Sequence, residues 1–245
     1  MTFAAETRNV RKVLSGTPVL DGCDLALEAG RLHGLVGAGS SGKTLVLKTL
    51  ATLLPPDSGD VVLFGEAADF GDVGRLRTVR ARIGMQFQNV ALFDFLDVAG
   101  NVAFPLVNGD VPVPPGEVAS RVESALAAVG LAGAGGLAPH ELSGGMQRRV
   151  AIARAAVTRA ALMVFDDPTG GLDPVTSSRI FGLIADVQAA SGSTVVLASH
   201  DTDRLARVCH LFHVVDRGRI AFTGTLPDGL AHADPAVRRL LGGDA

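Results

Sequence analysis

Alternation of apolar and polar positions is the first pattern along the chain. Residues 17–36 predict two short strands: "TPVLDGCDLALEAG" alternates as far as Gly30, and "RLHGLVG" then runs directly into glycine and serine. Over 43–54, "KTLVLKTLATLL" has helical spacing with Pro55 and Pro56 as its stop, and "SGDVVLFG" predicts a further strand and turn. The middle, about 89–157, changes character. It opens rich in phenylalanine, passes the loop "NGDVPVPPG", and then shows helical spacing over 117–129 and 145–157. Beyond it, apolar runs at 161–165, 194–198 and 212–215 alternate with a helical stretch near 175–189, which predicts a parallel sheet with crossover helices. There is no internal repeat and no low-complexity tail.

Between a predicted strand and a predicted helix stands "GAGSSGKT", residues Gly37, Ala38, Gly39, Ser40, Ser41, Gly42, Lys43 and Thr44, which satisfies GxxxxGK[ST] in its required setting. Glycines there let backbone N–H groups turn towards phosphate oxygens, and the positive end of the following helix adds to that field. Lys43 is placed to reach the β and γ phosphates and Thr44 to offer its hydroxyl to Mg²⁺. The chain has three lysines against nineteen arginines, so a lysine at this point is not compositional habit. A compact ammonium suits the pocket better than a guanidinium fork. Further on, "LMVFDDPTGGLDP" runs four apolar residues into Asp166 and Asp167. Two adjacent carboxylates leaving a buried strand are costly unless a cation or a polarised water sits beside them. Asp166 is the natural partner of a phosphate-bound Mg²⁺, and Asp167 stands where a water attacks.

Composition narrows the classes. With 245 residues and 47% hydrophobic content, the chain is long enough for a packed globular core. A formal charge of -3 and a pI near 6.0 argue against a general polyanion binder, so no nucleic-acid partner is expected. Arg75, Arg77, Arg80 and Arg82 read as a solvated helix face. Cys23 and Cys209 lie far apart and outside any CxxC spacing, which fits a reducing compartment and core packing. The N-terminal segment shows no secretion signal, and the longest uncharged stretch, 124–139, is too short and glycine-rich to span a bilayer. His33 reads as structural. His210 and His213 have ligand-like spacing but no third ligand near them.

"LSGGMQRR" just upstream of "LMVFDD", taken with the glycine loop, resembles the ATPase subunit of ABC transporters over nearly the whole chain. In the same resemblance "QFQ" places Gln88 at the Q-loop, "GGLDP" places Asp173 at the D-loop and "LASHD" places His200 at the switch histidine. The resemblance implies an α/β fold of the P-loop NTPase class with a RecA-like core. It also implies a small antiparallel β part and an inserted helical subdomain, all in one nucleotide-binding domain over 1–245. The core and β part would occupy about 1–88 and 158–245 and the helical part about 89–157. It implies ATP and Mg²⁺ as cofactors, with Thr44, Gln88 and Asp166 managing the metal, Asp167 the water, and His200 the γ-phosphate. The resemblance further implies a head-to-tail pair in which each glycine loop is closed by Ser143, Gly144 and Gly145 of a second copy, and small residues ahead of a helix suit that role because they present free N–H groups. Taken alone, "SGG" reads as a helix cap.

Within the family, "ALFDFLDVAGNVAFPL", "PTGGLDPVTS" and "DPAVRRLLGG" resemble the ATPases of Mla-type and Mce-type lipid transporters. Amino-acid and methionine importer ATPases share much of this wording. The resemblance implies integral-membrane permease partners, Mce-type lipid-binding subunits for a lipid system, and a peripheral place on the cytoplasmic face of the inner membrane. Four of eleven phenylalanines, Phe87, Phe93, Phe95 and Phe104, fall within eighteen residues. Most of this cluster is expected in the core, and an exposed member beside Gln88 would line the groove that receives a permease helix.

Three departures matter. The family usually has glutamate at Asp167, and a carboxylate drawn back by one methylene predicts slow turnover and keeps open a nucleotide-dependent dimerising regulator as a rival reading. No aromatic ring precedes the first strand in "NVRKVLSGTPVL", so Arg11, Lys12 or Val13 is expected to cover the base, with weaker ATP affinity and little choice between ATP and GTP. The spelling "GAGSSGKT" departs from the family's usual serine or asparagine third and glycine fourth residues.

Overall fold

Two β-sheets clasp one helix, and the glycine loop enters that helix from an interior strand of the larger sheet. The computed structural model describes residues 2–109 and 113–242. Asp110, Val111 and Pro112 of "NGDVPVPPG" and Gly243 of "DPAVRRLLGG" lie outside the described residues. β1 (Phe3–Leu14) and β2 (Thr17–Glu28) pair antiparallel, then β3 (Leu32–Val36) leads through the glycine loop into α1 (Lys43–Leu50). β4 (Ser58–Leu63), β5 (Glu66–Ala67), α2 (Val73–Arg80) and β6 (Ile83–Gln86) follow. Three helices come next, α3 (Val98–Val107), α4 (Pro115–Ala128) and α5 (Gly144–Ala156), packed on one another. β7 (Leu162–Asp166), α6 (Pro174–Ser191), β8 (Thr194–Ala198), α7 (Thr202–Leu205), β9 (Leu211–Asp216), β10 (Arg219–Gly224), α8 (Leu226–Leu230) and α9 (Pro235–Leu240) complete the order.

The antiparallel sheet runs β2-β1-β4-β5 and the larger sheet β10-β9-β3-β8-β7-β6. The larger is parallel except for β10 against β9. Its strands are buried on both faces, which is why they read as unbroken apolar runs. Leu162 and Val164 of β7 face α1 and the antiparallel sheet, while Met163 and Phe165 face the helical side. Ala198 of β8 is in register with both Leu35 of β3 and Asp166 of β7. The ends of three strands are therefore level, and the loops after them emerge at one edge, where open α/β sheets place ligands.

Several expectations change. The first strand, β1, carries no clear alternation because its pairing with β2 shifts register four times and its outward positions bear Arg8, Arg11 and Lys12. The segment 17–28 is one long strand. The helix expected over 43–54 stops at Leu50: Thr52 turns left-handed at φ 58, and the Lys48 carbonyl accepts from Leu53 N at 2.8 Å. Leu54 must in any case leave helical geometry before Pro55. Arg80 is half-buried and not part of a solvated face, and Arg82, although exposed, lies beyond the end of α2. Arg80 donates to Thr52 Oγ1 at 2.9 Å and Thr52 O at 2.8 Å, and the Arg82 guanidinium lies 3.8 Å over the Phe64 ring. Cys23 is buried, with its thiol pushed up to about 11 by burial, and burial also pushes up Cys209. Among the described residues, no helix is long and apolar enough to cross a membrane.

His33 and His213 form a buried chain of hydrogen bonds. His33 Nε2 lies 3.0 Å from the Glu28 carbonyl, His33 Nδ1 3.0 Å from His213 Nε2, and His213 Nδ1 2.9 Å from Thr223 Oγ1. Because a carbonyl only accepts, His33 Nε2 donates, its Nδ1 accepts from His213, and Thr223 donates to His213. Both rings are neutral. Burial holds His33 below its ordinary value and His213 down at about 3. Below about pH 6.5 the unfolded chain binds a proton that native His213 refuses down to about pH 3, so stability falls with falling pH by up to about 1.4 kcal/mol per unit for His213, and the lowered His33 acts in the same direction. Denaturant titrations between pH 4 and 6 should therefore show a shallower slope for His213→Gln than for the wild type, and parallel profiles would contradict this.

Candidate functional site

The glycine loop between β3 and α1 is shaped by close approach. A Cβ on Gly37 would collide with the Val215 carbonyl and with Ser41 Oγ. Gly42 caps α1 at φ 107, and Ser40 sits at φ 60, a left-handed conformation that costs a non-glycine residue about 1–2 kcal/mol. This is the local consequence of the loop's spelling. The first turn of α1 carries no acidic residue, so its positive end is free to act on an anion. Lys43 folds back over the loop, its Nζ donating to Gly37 O and Ala38 O at 2.8 Å each. Burial lowers its pKa and the charges of Asp166 and Asp167 oppose that. Ser41 Oγ is buried with no hydrogen-bond partner among the described residues.

Asp166 ends β7 buried, and Thr44 Oγ1 donates to its Oδ1 at 3.1 Å. Burial raises its pKa, Asp167 adds to that, and the Thr44 hydrogen bond with Lys48 and Lys43 offsets part. A buried carboxylate whose pKa burial raises, beside a hydroxyl, is a donor set that fits a hard divalent cation. Asp167 then turns left-handed at φ 44, with its N–H on Ala198 O at 2.9 Å. Such a conformation costs about 1–3 kcal/mol and persists only where surroundings enforce it. Its carboxylate lies against Gly170, where any Cβ would strike it.

One cleft of about 740 Å³ brings together Ser40, Ser41, Gly42, Lys43, Thr44, Gln88, Asp166, Asp167 and His200. Gly37, Ala38 and Gly39 shape the loop but do not line it. The far end is lined by Leu14, Pro18 and Arg217, and not by the residues expected to cover a base. Arg11 pairs with Asp21 at 2.5 Å and Lys12 with Asp57 at 2.6 Å, and Val13 is exposed.

Ser143, Gly144, Gly145 and Asp173 lie apart from this, on a second cleft of about 400 Å³ with Leu172 and Thr176. Ser143 Oγ caps α5 by accepting from Met146 N at 3.3 Å, and Asp173 caps α6 by accepting from Val175 N at 2.9 Å and Thr176 N at 3.0 Å. A hydrogen bond from the Thr176 side chain, joined by these backbone bonds, holds Asp173 below the usual carboxylate range.

A third cleft of about 320 Å³ is lined by Phe87, Phe93 and Phe104 with Met85 and Arg154. The phenylalanines are not mainly core. Phe95 is 79% exposed and Phe87 38%, and the Phe93 and Phe104 rings, 4.4 Å apart, are half-buried on the outer side of β6 and α3. His213 spends both ring nitrogens on His33 and Thr223, and His210 Nδ1 accepts from Leu32 N at 2.9 Å. Sequence reasoning did not place Leu14, Pro18 and Arg217 at the larger cleft, because tertiary folding brings them there and leaves no local spacing signal.

Residues 20–170 match the model of the ABC transporter family. The methionine import ATP-binding protein MetN of Caulobacter vibrioides is 37% identical over 227 residues, covering 92% of this chain and 68% of its own. The intermembrane phospholipid transport system ATP-binding protein MlaF of Escherichia coli strain K12 is 36% identical over 241 residues, covering 98% and 89%. Among solved structures, the dimeric bacterial ABC transporter cassette MJ0796 gives a TM-score of 0.81 at 28% identity, over 90% of this chain and 98% of its own. A dimer of MJ0796 in a post-hydrolysis state, bound to ADP and Pi, gives 0.80 at 27% over the same shares. The protein cbiO1 of Clostridium perfringens, part of the ABC transporter complex cbiONQ, gives 0.83 at 26% over 99% and 100%. The glycine loop, the paired aspartates, the fold and these relatives lead to one conclusion: the chain belongs to the ABC transporter family, as an ATP-binding ATPase subunit.

Proposed function

We propose that this ATPase works as one of two head-to-tail copies attached to membrane permease subunits, on the cytoplasmic face of the inner membrane, and that its cargo is phospholipid or another lipid. The observation that carries the paired reading is the split of the candidate site. Lys43, Thr44, Asp166, Asp167 and His200 line one cleft, whereas Ser143, Gly144, Gly145 and Asp173 line another on the same chain. Two copies facing each other would place one on the other. The reading treats 1–245 as a single nucleotide-binding domain with a helical part at about 89–157, supported by the mutual packing of α3, α4 and α5.

In this reading the α1 N-terminus and Lys43 hold the β and γ phosphates, and His200 donates to the γ-phosphate. Thr44, Asp166 and Gln88 would hold Mg²⁺, which when bound neutralises charge on the phosphate oxygens. Asp167 orients the attacking water and takes its proton. Its shortened reach limits the rate, since a misplacement of about 1 Å can cost about 10². Asp167→Glu should therefore raise kcat, by up to about 10²-fold, and an unchanged or lower rate in a steady-state assay would show that the backbone already corrects the reach.

Lipid cargo is supported by "ALFDFLDVAGNVAFPL" and "PTGGLDPVTS", which resemble the lipid-transporter ATPases, and by the phospholipid relative at 36% identity over 241 residues. The exposed Phe87, beside Gln88, supports a permease helix in the third cleft. Affinity capture from detergent-solubilised membranes tests the cargo: Mce-type lipid-binding subunits should accompany the permease, and a soluble amino-acid-binding partner would favour the importer reading. Asp167 is the one observation favouring a slow nucleotide-dependent regulator, in which closure of the pair is itself the output.

A further inference from the structure

We propose that Arg148 is a positioning residue for hydrolysis, fastening the backbone at Gln88, Asp167 and Gly170 so that the loops bearing the metal-side glutamine, the water-side carboxylate and the start of the D-loop keep one mutual geometry. The proposal rests on the ATPase reading above. Arg148 lies on α5, five residues beyond Ser143, and is half-buried. One guanidinium nitrogen, Nη1, donates to Gln88 O at 3.1 Å and to Asp167 O at 3.2 Å, and Nη2 donates to Gly170 O. Three carbonyls from two separate stretches of chain thus converge on one planar fork. A lysine ammonium, a compact charge on a flexible stem, lacks the geometry to hold all three.

The Asp167 carbonyl is the informative partner. Asp167 is left-handed at φ 44, so its backbone relaxes unless fixed on both sides. Ala198 O takes its N–H, and Arg148 takes its carbonyl. Gly170 N also donates to Asp167 O at 3.2 Å, so Arg148 clamps the turn 167–170 at both its ends. The carboxylate that this turn aims is the group assigned to the water. Arg154, further along α5, holds the continuation of the Gln88 loop, donating to Val90 O at 2.8 Å and Ala91 O at 2.7 Å. The helix that begins with the serine-glycine segment is therefore tied directly to the chemistry of its own chain's other cleft. Without the fork, Asp167 relaxes from its left-handed turn and its carboxylate shifts, while the phosphate loop, which Arg148 does not touch, keeps its shape.

The test uses the full chain with Arg148→Met, which keeps side-chain length without donors, and Arg148→Lys. Arg148→Met should lower kcat about 10²-fold and leave the ATP Kd within about twofold, with Arg148→Lys recovering part of the rate. The gain from Asp167→Glu should vanish in the Arg148→Met background, because an unaimed carboxylate does not profit from length. Hydrogen exchange should quicken at residues 88–91 and 167–172 and stay unchanged at 42–47. Wild-type kcat in Arg148→Met, additive effects with Asp167→Glu, or exchange that quickens across the whole sheet would overturn the proposal. If the wild-type protein hydrolyses no ATP, the ATPase reading fails by itself, and the exchange pattern alone then decides whether Arg148 holds these loops.

Discussion

Replacing Lys43 by alanine should abolish measurable ATP hydrolysis and weaken ATP binding by about 10² to 10⁴. The ammonium is buried, its pKa lowered by desolvation and partly restored by Asp166 and Asp167, which is a charge poised for a strong anion. Its two present partners are the neutral carbonyls of Gly37 and Ala38 at 2.8 Å. Exchanging neutral acceptors for phosphate oxygens adds charge-assisted bonds, each worth about 1.5–3 kcal/mol, and two of them account for that loss. The fold should survive, because Lys43 takes part in no ion pair among the described residues and Ala38, whose carbonyl is one of the two abandoned, is exposed to water. Isothermal titration together with a melting curve separates these outcomes: retained ATP affinity in Lys43→Ala would sink the assignment, and a collapsed Tm would make the test one of folding.

The second large effect comes from Gly144→Glu. At the first position of α5 the nearest atom to an added Cβ is Leu172 Cδ2 at 3.9 Å, so a side chain fits without strain. A carboxylate at a helix N-terminus also stabilises an isolated chain by about 0.3–1 kcal/mol. In a head-to-tail pair the same group faces the γ-phosphate of the other copy, where like charges at short range are costly. Hydrolysis should fall at least about 10²-fold while the Tm holds or rises and the ATP Kd of the single chain stays within about threefold. Few substitutions separate the two surfaces so cleanly: unimpaired hydrolysis would mean that Gly144 never meets nucleotide.

What could be read directly from the sequence was chemistry confined to short stretches. The glycine loop, Asp166 and Asp167 announce themselves because a phosphate cradle and a strand ending in carboxylates each need a fixed local spacing. The parallel strands were legible because burial on both faces makes an unbroken apolar run, as at Leu162–Asp166. β1 was not, since its bulged pairing and outward Arg8, Arg11 and Lys12 blur the alternation. The end of α1 was misplaced because Thr52, held by Arg80, turns the chain before the prolines do. The ion pairs of Arg11 with Asp21 and of Lys12 with Asp57 join positions distant in the chain, and such pairs leave no trace in spacing. Arg148 reads as one more helical arginine until three carbonyls are seen around it.

The most direct measurement is a crystal structure of the Asp167→Asn protein grown with ATP and Mg²⁺. The account predicts one triphosphate touching Lys43 of one chain and, on its other side, Ser143 and Gly144 of a second copy. A nucleotide held by one chain, with the serine-glycine segment open to solvent throughout the assembly, would contradict it.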